Sequence, residues 1–381
     1  MSKFRHENKV VSRIDELDDD ILSLIFSRIA SWKLLVQCRS VSKRWNNIIS
    51  QPIFLDLISS KFLPFTVYIN SIWETSVISE HPFFQSQNPP LNLKFSPFRK
   101  VNSYLVGSYS DLLIYCNHCP DSCQEKALYC FYNLITRENI EIEIPIDYIV
   151  MDGWNWIAIG CAGHLEGISS VKGEGGFKFV RIVSKSSYNI LQVFSFESGN
   201  WSTHRKTLNS DLQLNYFRNS NSVTLNNKLH WLLDHSILVI DPYSDDISRY
   251  ILIKLPSCLP TKCTLGVCKE RLRLMEFAYD SDLSSSFATL NVWELDDYSK
   301  STWTVVCTKV ITTTKSHPDL WPLKKSLGKI FKVMFHRYDC DVVYLATANK
   351  VVQYNLKSGT FKVVVDEWGS MYPLVNPLVV A

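Results

Sequence analysis

The chain has 381 residues, of which 46% are hydrophobic, 13% aromatic and 20% charged. This composition excludes a chain that is mainly disordered, and the length predicts more than one domain. The 40 Lys and Arg against 37 Asp and Glu leave a net charge of +3, which is too small to predict nucleic-acid binding or attraction to a membrane surface.

The distribution of apolar residues and cysteines indicates the cellular compartment. No apolar stretch has the length of a membrane-spanning helix, and the first twenty residues are polar where a secretion signal is apolar. We therefore expect a protein of the cytoplasm or nucleus. The 11 cysteines are scattered along the chain, which predicts reduced core thiols rather than a disulfide framework.

The first sixty residues have helical periodicity. Asp18, Asp19 and Asp20 precede an apolar pattern that starts at Ile21, so carboxylates occupy the positively polarised end of a predicted helix. We expect Asp18 to cap this helix by accepting a backbone N–H bond. After Pro52 the pattern predicts one further helix. Between these two predicted helices lies one continuous apolar stripe, formed by Leu34, Cys38, Val41, Trp45 and Ile48.

These residues resemble an F-box, the adaptor-binding motif of SCF-type ubiquitin ligase receptors. The resemblance rests on Leu17–Ile29, on Leu34-Leu35, and on the run Cys38-Arg-x-Val-Ser-Lys-x-Trp45. Two prolines that are usual in the family are absent, because Asp18 follows Leu17 and Ala30 stands at the second position.

The resemblance implies an F-box over residues 11–60 that docks on a Skp-family adaptor and, through it, on cullin and RING subunits. Three short helices cannot bury so much apolar surface among themselves, and helix-in-groove binding would cover the remainder. Cys38 and Trp45 are expected to hold the helices together. The residues that would divide between the internal core and the adaptor-binding face are Leu17, Ile21, Leu22, Ile25, Ile29, Leu34 and Val41. The alternative is an ordinary three-helix subdomain packed on the rest of the chain.

From about Val67 onward the sequence has the pattern of short β-strands. Asn226-Asn227 is predicted to form the turn of a hairpin, since asparagine tolerates a positive φ. Four consecutive strands near the end of the chain amount to one propeller blade. They are Lys332–Phe335, Val342–Ala346, Val351–Asn355 and Thr360–Val365.

A strand-then-turn pattern also recurs along this region at intervals of 44 to 64 residues. The five marks begin at Asn133, Glu197, Asp241, Glu294 and Asn355, and a sixth unit is expected within Val67 to Asn117. The spacing predicts an all-β propeller of about six blades over residues 66–381. A large β-sandwich, or two smaller β domains, is the alternative.

The order of these motifs resembles the F-box-associated, kelch-like repeat domains of plant F-box proteins. The resemblance is carried by Gly107–Tyr115, Tyr132–Thr136, Phe177–Ile182, Val193–Trp201 and Asn226–Leu232. It implies a substrate-recognition domain. A kelch double glycine is absent, which leaves the repeat subtype open.

Residues that suggest enzymatic or metal chemistry have simpler interpretations. The carboxylate pairs Asp245-Asp246 and Asp296-Asp297 fall in predicted turns, where Asp bonds the local backbone. Gly173–Gly176 precedes a strand rather than a helix, which favours a hairpin loop over a phosphate loop. A cluster of possible zinc ligands comprises Cys116, His118, Cys119, Cys123 and Cys130; because the first and last lie on predicted strands, buried thiols are favoured over a metal site.

The sequence thus predicts a non-catalytic receptor with no cofactor and an unidentified protein substrate. Trp154 and Trp156 lie in the long insertion Met151–Gly176, and such insertions on a propeller face bind partners. They are the predicted substrate-contacting residues, with His164 and Trp321 as companions. The alternative is a carbohydrate- or small-ligand-binding propeller without a role in ubiquitin ligation.

Overall fold

The chain divides into two compact units, Met1–Leu63 with Ala381, and Pro64–Val380. In the ranges that the structure describes, no helix is long and apolar enough to cross a membrane. The computed structural model describes residues 14, 17–29, 32–51, 54, 65–71, 74–79, 92–93, 103–109, 112–117, 128–133, 139–144, 157–163, 176–184, 189–206, 222–247, 249–256, 263–279, 287–312, 332–336, 339–346, 350–366 and 376–378.

Unit 1 contains three short helices, α1 (Asp19–Ser27), α2 (Trp32–Arg39) and α3 (Lys43–Ile49). The prediction of one continuous apolar stripe was wrong, because the helix breaks between α2 and α3. Ser42 has an extended backbone, with φ −156° and ψ 158°, and its side chain accepts a hydrogen bond from the Trp45 N–H at 3.1 Å. Serine competes well for this capping position, so a new helix starts there.

The start of α1 is tied down by an ion pair rather than by a capping side chain. Asp18 occupies the N-cap position, but its side chain makes no capping hydrogen bond, so that prediction was wrong. Instead, Arg44 Nη2 lies 2.7 Å from Asp19 Oδ1 and donates to the Leu17 carbonyl at 2.6 Å. Arg44 thereby links α3 to the first turn of α1.

The internal core of unit 1 is small and apolar. The Phe26 and Trp45 rings pack edge to face with centroids 4.8 Å apart, a favourable aromatic geometry. The further helix expected after Pro52 lies outside the described residues, except for Phe54, which is helical and buried. The buried apolar residues are Leu22, Phe26, Leu35, Ile48, Ile49 and Phe54.

The described residues of unit 2 form six four-stranded antiparallel sheets. The first sheet contains β1 (Phe65–Ser71), β2 (Glu74–Ser79) and β3 (Asn92–Leu93). The second contains β4 (Ser103–Tyr109), β5 (Leu112–Asn117), β6 (Leu128–Asn133) and β7 (Asn139–Glu143). The third contains β8 (Ile157–Ala162), β9 (Lys178–Ser184), β10 (Asn189–Ser195) and β11 (Asn200–Lys206).

The fourth sheet contains β12 (Val223–Leu225), β13 (Lys228–Leu232), β14 (Ser236–Ile240) and β15 (Tyr250–Lys254). The fifth contains β16 (Cys263–Cys268), β17 (Arg271–Tyr279), β18 (Phe287–Asp297) and β19 (Thr302–Thr312). The sixth contains β20 (Lys332–Phe335), β21 (Val342–Ala346), β22 (Lys350–Asn355) and β23 (Phe361–Asp366). The last strand, β24 (Asn376–Leu378), completes the first sheet.

These sheets form a β-propeller, as the spacing predicted. The first strands of successive sheets contact one another in the order β24, β4, β8, β12, β16 and β20. The pairing of β24 with β1, in the register Phe65↔Leu378, joins the two ends of unit 2 in one sheet. The stretch Val67 to Asn117, expected to be one unit, is therefore shared between two sheets.

Four of the five predicted repeat marks lie at the end of a third strand or within two residues of it, and the fifth, Glu294, lies within β18, three residues before its end. Asp241, Asp297 and Asn355 each accept backbone N–H bonds from residues two or three positions later, which starts the turn to the fourth strand. The Asn226-Asn227 hairpin is confirmed, with φ values of 51° and 59° at the two asparagines. Both patterns reflect local backbone chemistry.

The propeller core lies between neighbouring sheets. Trp231 of β13 is completely buried in a cluster shared by the third and fourth sheets, and its indole N–H donates to the Ile159 carbonyl of β8 at 3.0 Å. Two fourth-strand tryptophans link sheets similarly: Trp201 donates to the Glu143 carbonyl at 2.8 Å, and Trp303 donates to the Lys254 carbonyl at 2.9 Å. Tryptophan thus adds a directed hydrogen bond to apolar packing.

Candidate functional site

One face of α1 presents apolar side chains to solvent. Ile21 is 44% exposed, Leu24 54% and Ile25 39%, and their spacing of three and four residues places them on one side of the helix. Leu22 and Phe26, also four residues apart, are buried on the other side. We call Ile21, Leu24 and Ile25 the α1 face. A contiguous apolar surface on so small a unit indicates an interaction site.

The other predicted adaptor-binding residues differ in exposure. Val41, at the junction of α2 and α3, is 62% exposed, whereas Leu17 and Ile29 are half-buried. Leu22 is completely buried and belongs to the internal core. The side chain of Leu34 lies outside the described residues. Sequence reasoning did not include Leu24, which lies three residues after Ile21 on the same side of the helix.

The four predicted substrate-contacting residues, Trp154, Trp156, His164 and Trp321, lie outside the described residues. The strands around them are described. In a propeller of antiparallel sheets, each fourth strand ends at one rim, and the first strand of the next sheet begins at the same rim. That first strand ends at the other rim, where the second strand begins. In the sequence, Trp154 and Trp156 lie between β7 and β8, Trp321 lies between β19 and β20, and His164 lies between β8 and β9.

The cysteine cluster in the second sheet does not bring its described thiols together. Cys116 pairs with Tyr129, and Cys130 pairs with Tyr115, so the two cysteines point to opposite faces of the sheet. Burial raises the pKa of the Cys130 thiol to about 11. No group of three or more metal-ligating side chains occurs among the residues that the structure describes.

His230 connects the fourth sheet to the fifth. Its Nδ1 lies 3.2 Å from the Val223 carbonyl, and its Nε2 lies 2.8 Å from the Tyr298 hydroxyl. Burial lowers the pKa of His230 to about 4, and the nearby Lys228 charge contributes to the lowering. The ring is therefore neutral at physiological pH, and its two contacts are consistent with donation by Nδ1 and acceptance by Nε2.

A buried ion-pair network lies in the fifth sheet. Arg273 donates two hydrogen bonds to Glu294 Oε2, at 2.9 and 2.7 Å, and Arg271 donates to Glu294 Oε1 at 2.6 Å. Arg273 also donates from Nη1 to the Cys340 carbonyl of the sixth sheet at 3.1 Å. The network satisfies a buried carboxylate and links two sheets, which is a structural role.

Asp245-Asp246 lies in a turn, as predicted, whereas Asp296-Asp297 forms the end of β18, immediately before the turn. Asp297 accepts bonds from the Ser299 hydroxyl and from the Ser299 and Lys300 N–H groups, and these lower the pKa of its carboxyl. Asp246 lies 3.4 Å from Arg249 in an exposed ion pair. Neither arrangement has the pair of facing carboxyls that glycoside hydrolysis requires.

Comparison with known proteins identifies both units. Residues 88–376, most of the chain, match the family described as F-box protein At3g26010-like, beta-propeller. The chain belongs to this family of F-box β-propeller proteins. Residues 14–57 match the F-box domain, so α1, α2 and α3 are F-box helices. The resemblance to plant F-box proteins is thereby confirmed, and the kelch-like repeat subtype stays a prediction.

A curated relative is F-box protein At4g18380 from Arabidopsis thaliana. It is 29% identical to this chain over 117 residues, which are 30% of the chain and 29% of the relative's length. The chain thus spans under a third of the relative it matches. Similarity at this level covers one segment of the F-box protein and leaves the rest of its length unmatched.

Solved structures that resemble the chain are distant in sequence. TolB from Acinetobacter baumannii has a TM-score of 0.37 at 8% identity and covers 69% of this chain and 54% of its own. The β-propeller domain of the Trilobed protease from Pyrococcus furiosus has a TM-score of 0.36 at 8% identity, covering 69% and 83%. Hsv2 from Kluyveromyces lactis has a TM-score of 0.34 at 9% identity, covering 77% and 92%.

Proposed function

We propose that this F-box protein is the substrate-recognition subunit of an SCF-type ubiquitin ligase. The F-box docks on a Skp-family adaptor, which brings cullin and RING subunits, and the propeller holds a target protein for ubiquitination and degradation. The observation that carries the proposal is an F-box with an exposed apolar α1 face on the same chain as a β-propeller.

The α1 face has the chemistry of a groove-binding helix. Ile21, Leu24 and Ile25 form an apolar stripe of the kind that fills a hydrophobic groove on a partner. Burying such side chains stabilises a complex by about 25 cal/mol for each Å² removed from water. The three exposed carboxylates at the start of α1, Asp18 to Asp20, border this stripe and favour a partner with positive charge beside its groove.

The proposed contribution to ubiquitin transfer is positioning. A receptor that holds both the ligase assembly and the target converts an encounter in solution into a reaction at high effective concentration. In this account the chain binds no cofactor and supplies no nucleophile, and the transfer chemistry belongs to other subunits. Trp154, Trp156, His164 and Trp321 stay the proposed target-contacting residues.

Adaptor binding is tested by co-purification of the full chain with a Skp-family adaptor. The double variant Leu24→Glu with Ile25→Glu replaces apolar contacts by two charges and should reduce binding at least tenfold. The control is Gln37→Glu with Asn47→Glu, which adds the same charge at exposed positions on α2 and α3. Circular dichroism should show both variants folded. Unchanged adaptor binding by the first variant would overturn the proposal.

Target recognition is tested separately with the Leu24→Glu, Ile25→Glu variant, whose adaptor binding is reduced. Target proteins captured by this variant should accumulate, because they are held without being ubiquitinated. Replacing Trp154 and Trp156 by alanine should reduce that capture, while adaptor binding remains at the wild-type level. A chain that binds glycans on an array but no adaptor would instead belong to the alternative class of carbohydrate-binding propellers.

A further inference from the structure

Two cysteines from neighbouring sheets meet at one rim of the propeller. Cys268 is the last residue of β16, and Cys340 lies in the connection between β20 and β21. Both connections, β16 to β17 and β20 to β21, join a first strand to a second, so they lie at the same rim of adjacent sheets. The side chains of Cys268 and Cys340 interact with each other.

The backbone on both sides of this contact is held in place. Cys268 precedes a two-residue turn in which Lys269 and Glu270 have φ values of 47° and 57°. Arg273 Nη1 donates to the carbonyl of Cys340 at 3.1 Å, and the same guanidinium is fixed by Glu294. Disulfide formation therefore requires the two interacting side chains to approach to an S–S length of about 2 Å while this backbone stays in place.

The two thiols differ in access to solvent. Cys268 is completely buried, whereas Cys340 is half-buried. Burial and the neighbouring Cys340 raise the pKa of Cys268, and the positive charges of Arg273 and Lys269 oppose this effect. A soluble oxidant therefore reaches Cys340 first, and Cys268 is placed to react with it afterwards.

We propose that Cys268 and Cys340 form an oxidisable pair that a low-molecular-weight disulfide converts into a disulfide between the fifth and sixth sheets. The Cys340 thiolate attacks one sulfur of the oxidant, whose S–S bond breaks to release one thiol. Cys268 then attacks the Cys340 sulfur, its proton passes to the departing sulfur, and the second thiol is released. Two protein thiols are oxidised, and one disulfide molecule is reduced to two thiols.

Other cysteines are less well placed for this reaction. Cys263 lies at the opposite end of β16 from Cys268, about 16 Å away at the rise of a β-strand. Cys307 of β19 is the competitor, because it also interacts electrostatically with Arg273 and is half-buried. The experiment must therefore distinguish a bond between Cys268 and Cys340 from a bond between Cys307 and Cys340.

The test is peptide mapping of the full chain after equilibration with glutathione and glutathione disulfide. Remaining thiols are blocked at low pH, and the chain is digested with trypsin. Cleavage gives residues 263–269, 301–309 and 338–350 as separate peptides, each containing at least one of the relevant cysteines. We expect a linked species of 263–269 with 338–350, and its loss in both Cys268→Ser and Cys340→Ser. It should persist in Cys263→Ser.

Thermal unfolding provides a second readout. Closing a long loop across two sheets should raise the midpoint of the wild-type chain on oxidation by on the order of 5 °C. The midpoint of Cys340→Ser should not change with the redox buffer, and its reduced form should melt like the reduced wild type. Three outcomes would each overturn the proposal. They are separate blocked peptides at the most oxidising ratio of glutathione disulfide to glutathione, a Cys340 that carries only glutathione, and a link between peptides 301–309 and 338–350.

Discussion

The F-box and the propeller both contain apolar residues that are stabilised by burial, and they bury these residues in opposite ways. In the propeller each sheet covers its neighbour, so that residues such as Trp231 and Leu229 are completely buried between sheets. The described part of the F-box has the short helices α1, α2 and α3, and Ile21, Leu24 and Ile25 remain exposed on α1. A small unit with uncovered apolar residues gains stability from a partner, whereas a closed repeat supplies its own.

The two units also use different contacts to hold their elements together. In the propeller, buried polar groups make bonds between sheets, as in the bonds from Arg273 to the Cys340 carbonyl and from the Tyr298 hydroxyl to His230. In the F-box, the polar contact between α1 and α3 is the exposed pair of Arg44 with Asp19. Substitutions in the propeller should therefore cost more free energy than polar substitutions in the F-box.

The largest effect is expected from Glu294→Ala. Removing this carboxylate leaves buried Arg273 without its partner, which should lower the free energy of unfolding of the propeller by about 3–5 kcal/mol. Urea denaturation measures the loss. Arg271→Ala is the control, because that side chain is 63% exposed and its removal should cost about 1 kcal/mol or less. Equal losses in the two variants would show that the network is not a buried link.

Protonation of His230 should cause a pH-dependent loss of stability. Its folded pKa of about 4 lies below its ordinary value of about 6.5, so the folded state favours the neutral ring. Because the unfolded chain binds the proton more readily, the contribution of His230 to stability is fully present above pH 6.5. It is lost as the pH drops towards 4. The expected loss is about 3 kcal/mol between pH 7 and pH 4.

The pH dependence is isolated by comparing slopes. His230→Gln removes the titrating ring, so its free energy of unfolding should change less between pH 7 and pH 4 than that of the wild type. Carboxylate titration elsewhere is common to both proteins and cancels in the comparison. Parallel curves for the two proteins would mean that His230 is not the group responsible.

The smallest effect is expected in the F-box from Ser42→Ala. This change removes the hydroxyl that accepts the Trp45 N–H and should destabilise α3 by about 1 kcal/mol. Faster amide exchange in α3, with unchanged exchange in propeller strands, would report it. Ser40→Ala is the matched control, because the Ser40 hydroxyl makes an exposed bond to the Gln37 carbonyl and its loss should be nearly neutral. A similar response to both substitutions would rule out the capping role.

Features that depend on neighbouring residues were predictable from sequence. Asn226-Asn227 defined a hairpin because few residues accept a positive φ at both turn positions. For the four strands of the sixth sheet, every predicted end lies within one residue of the observed end, since a clear turn follows each strand. The break before α3 was missed, because the apolar spacing continues through Ser42 and conceals its preference for a cap.

Features that depend on distant residues were not predictable. No local pattern in β24 shows that it pairs with β1 rather than with β23. The partners Arg273 and Glu294 face each other only once the register of β17 and β18 is known. Within the α1 face, periodicity identified the helix but could not decide which side is buried, which is why Leu24 was omitted.

The central claim, that the F-box and not the propeller contacts the adaptor, is tested most directly by amide hydrogen exchange of the full chain with and without a Skp-family adaptor. The account predicts slower exchange in α1 when the adaptor is bound, and unchanged exchange in the described propeller strands β4 to β23. The variant Leu24→Glu with Ile25→Glu should abolish the protection of α1. Protection confined to the propeller strands, with α1 unaffected by saturating adaptor, would contradict the account.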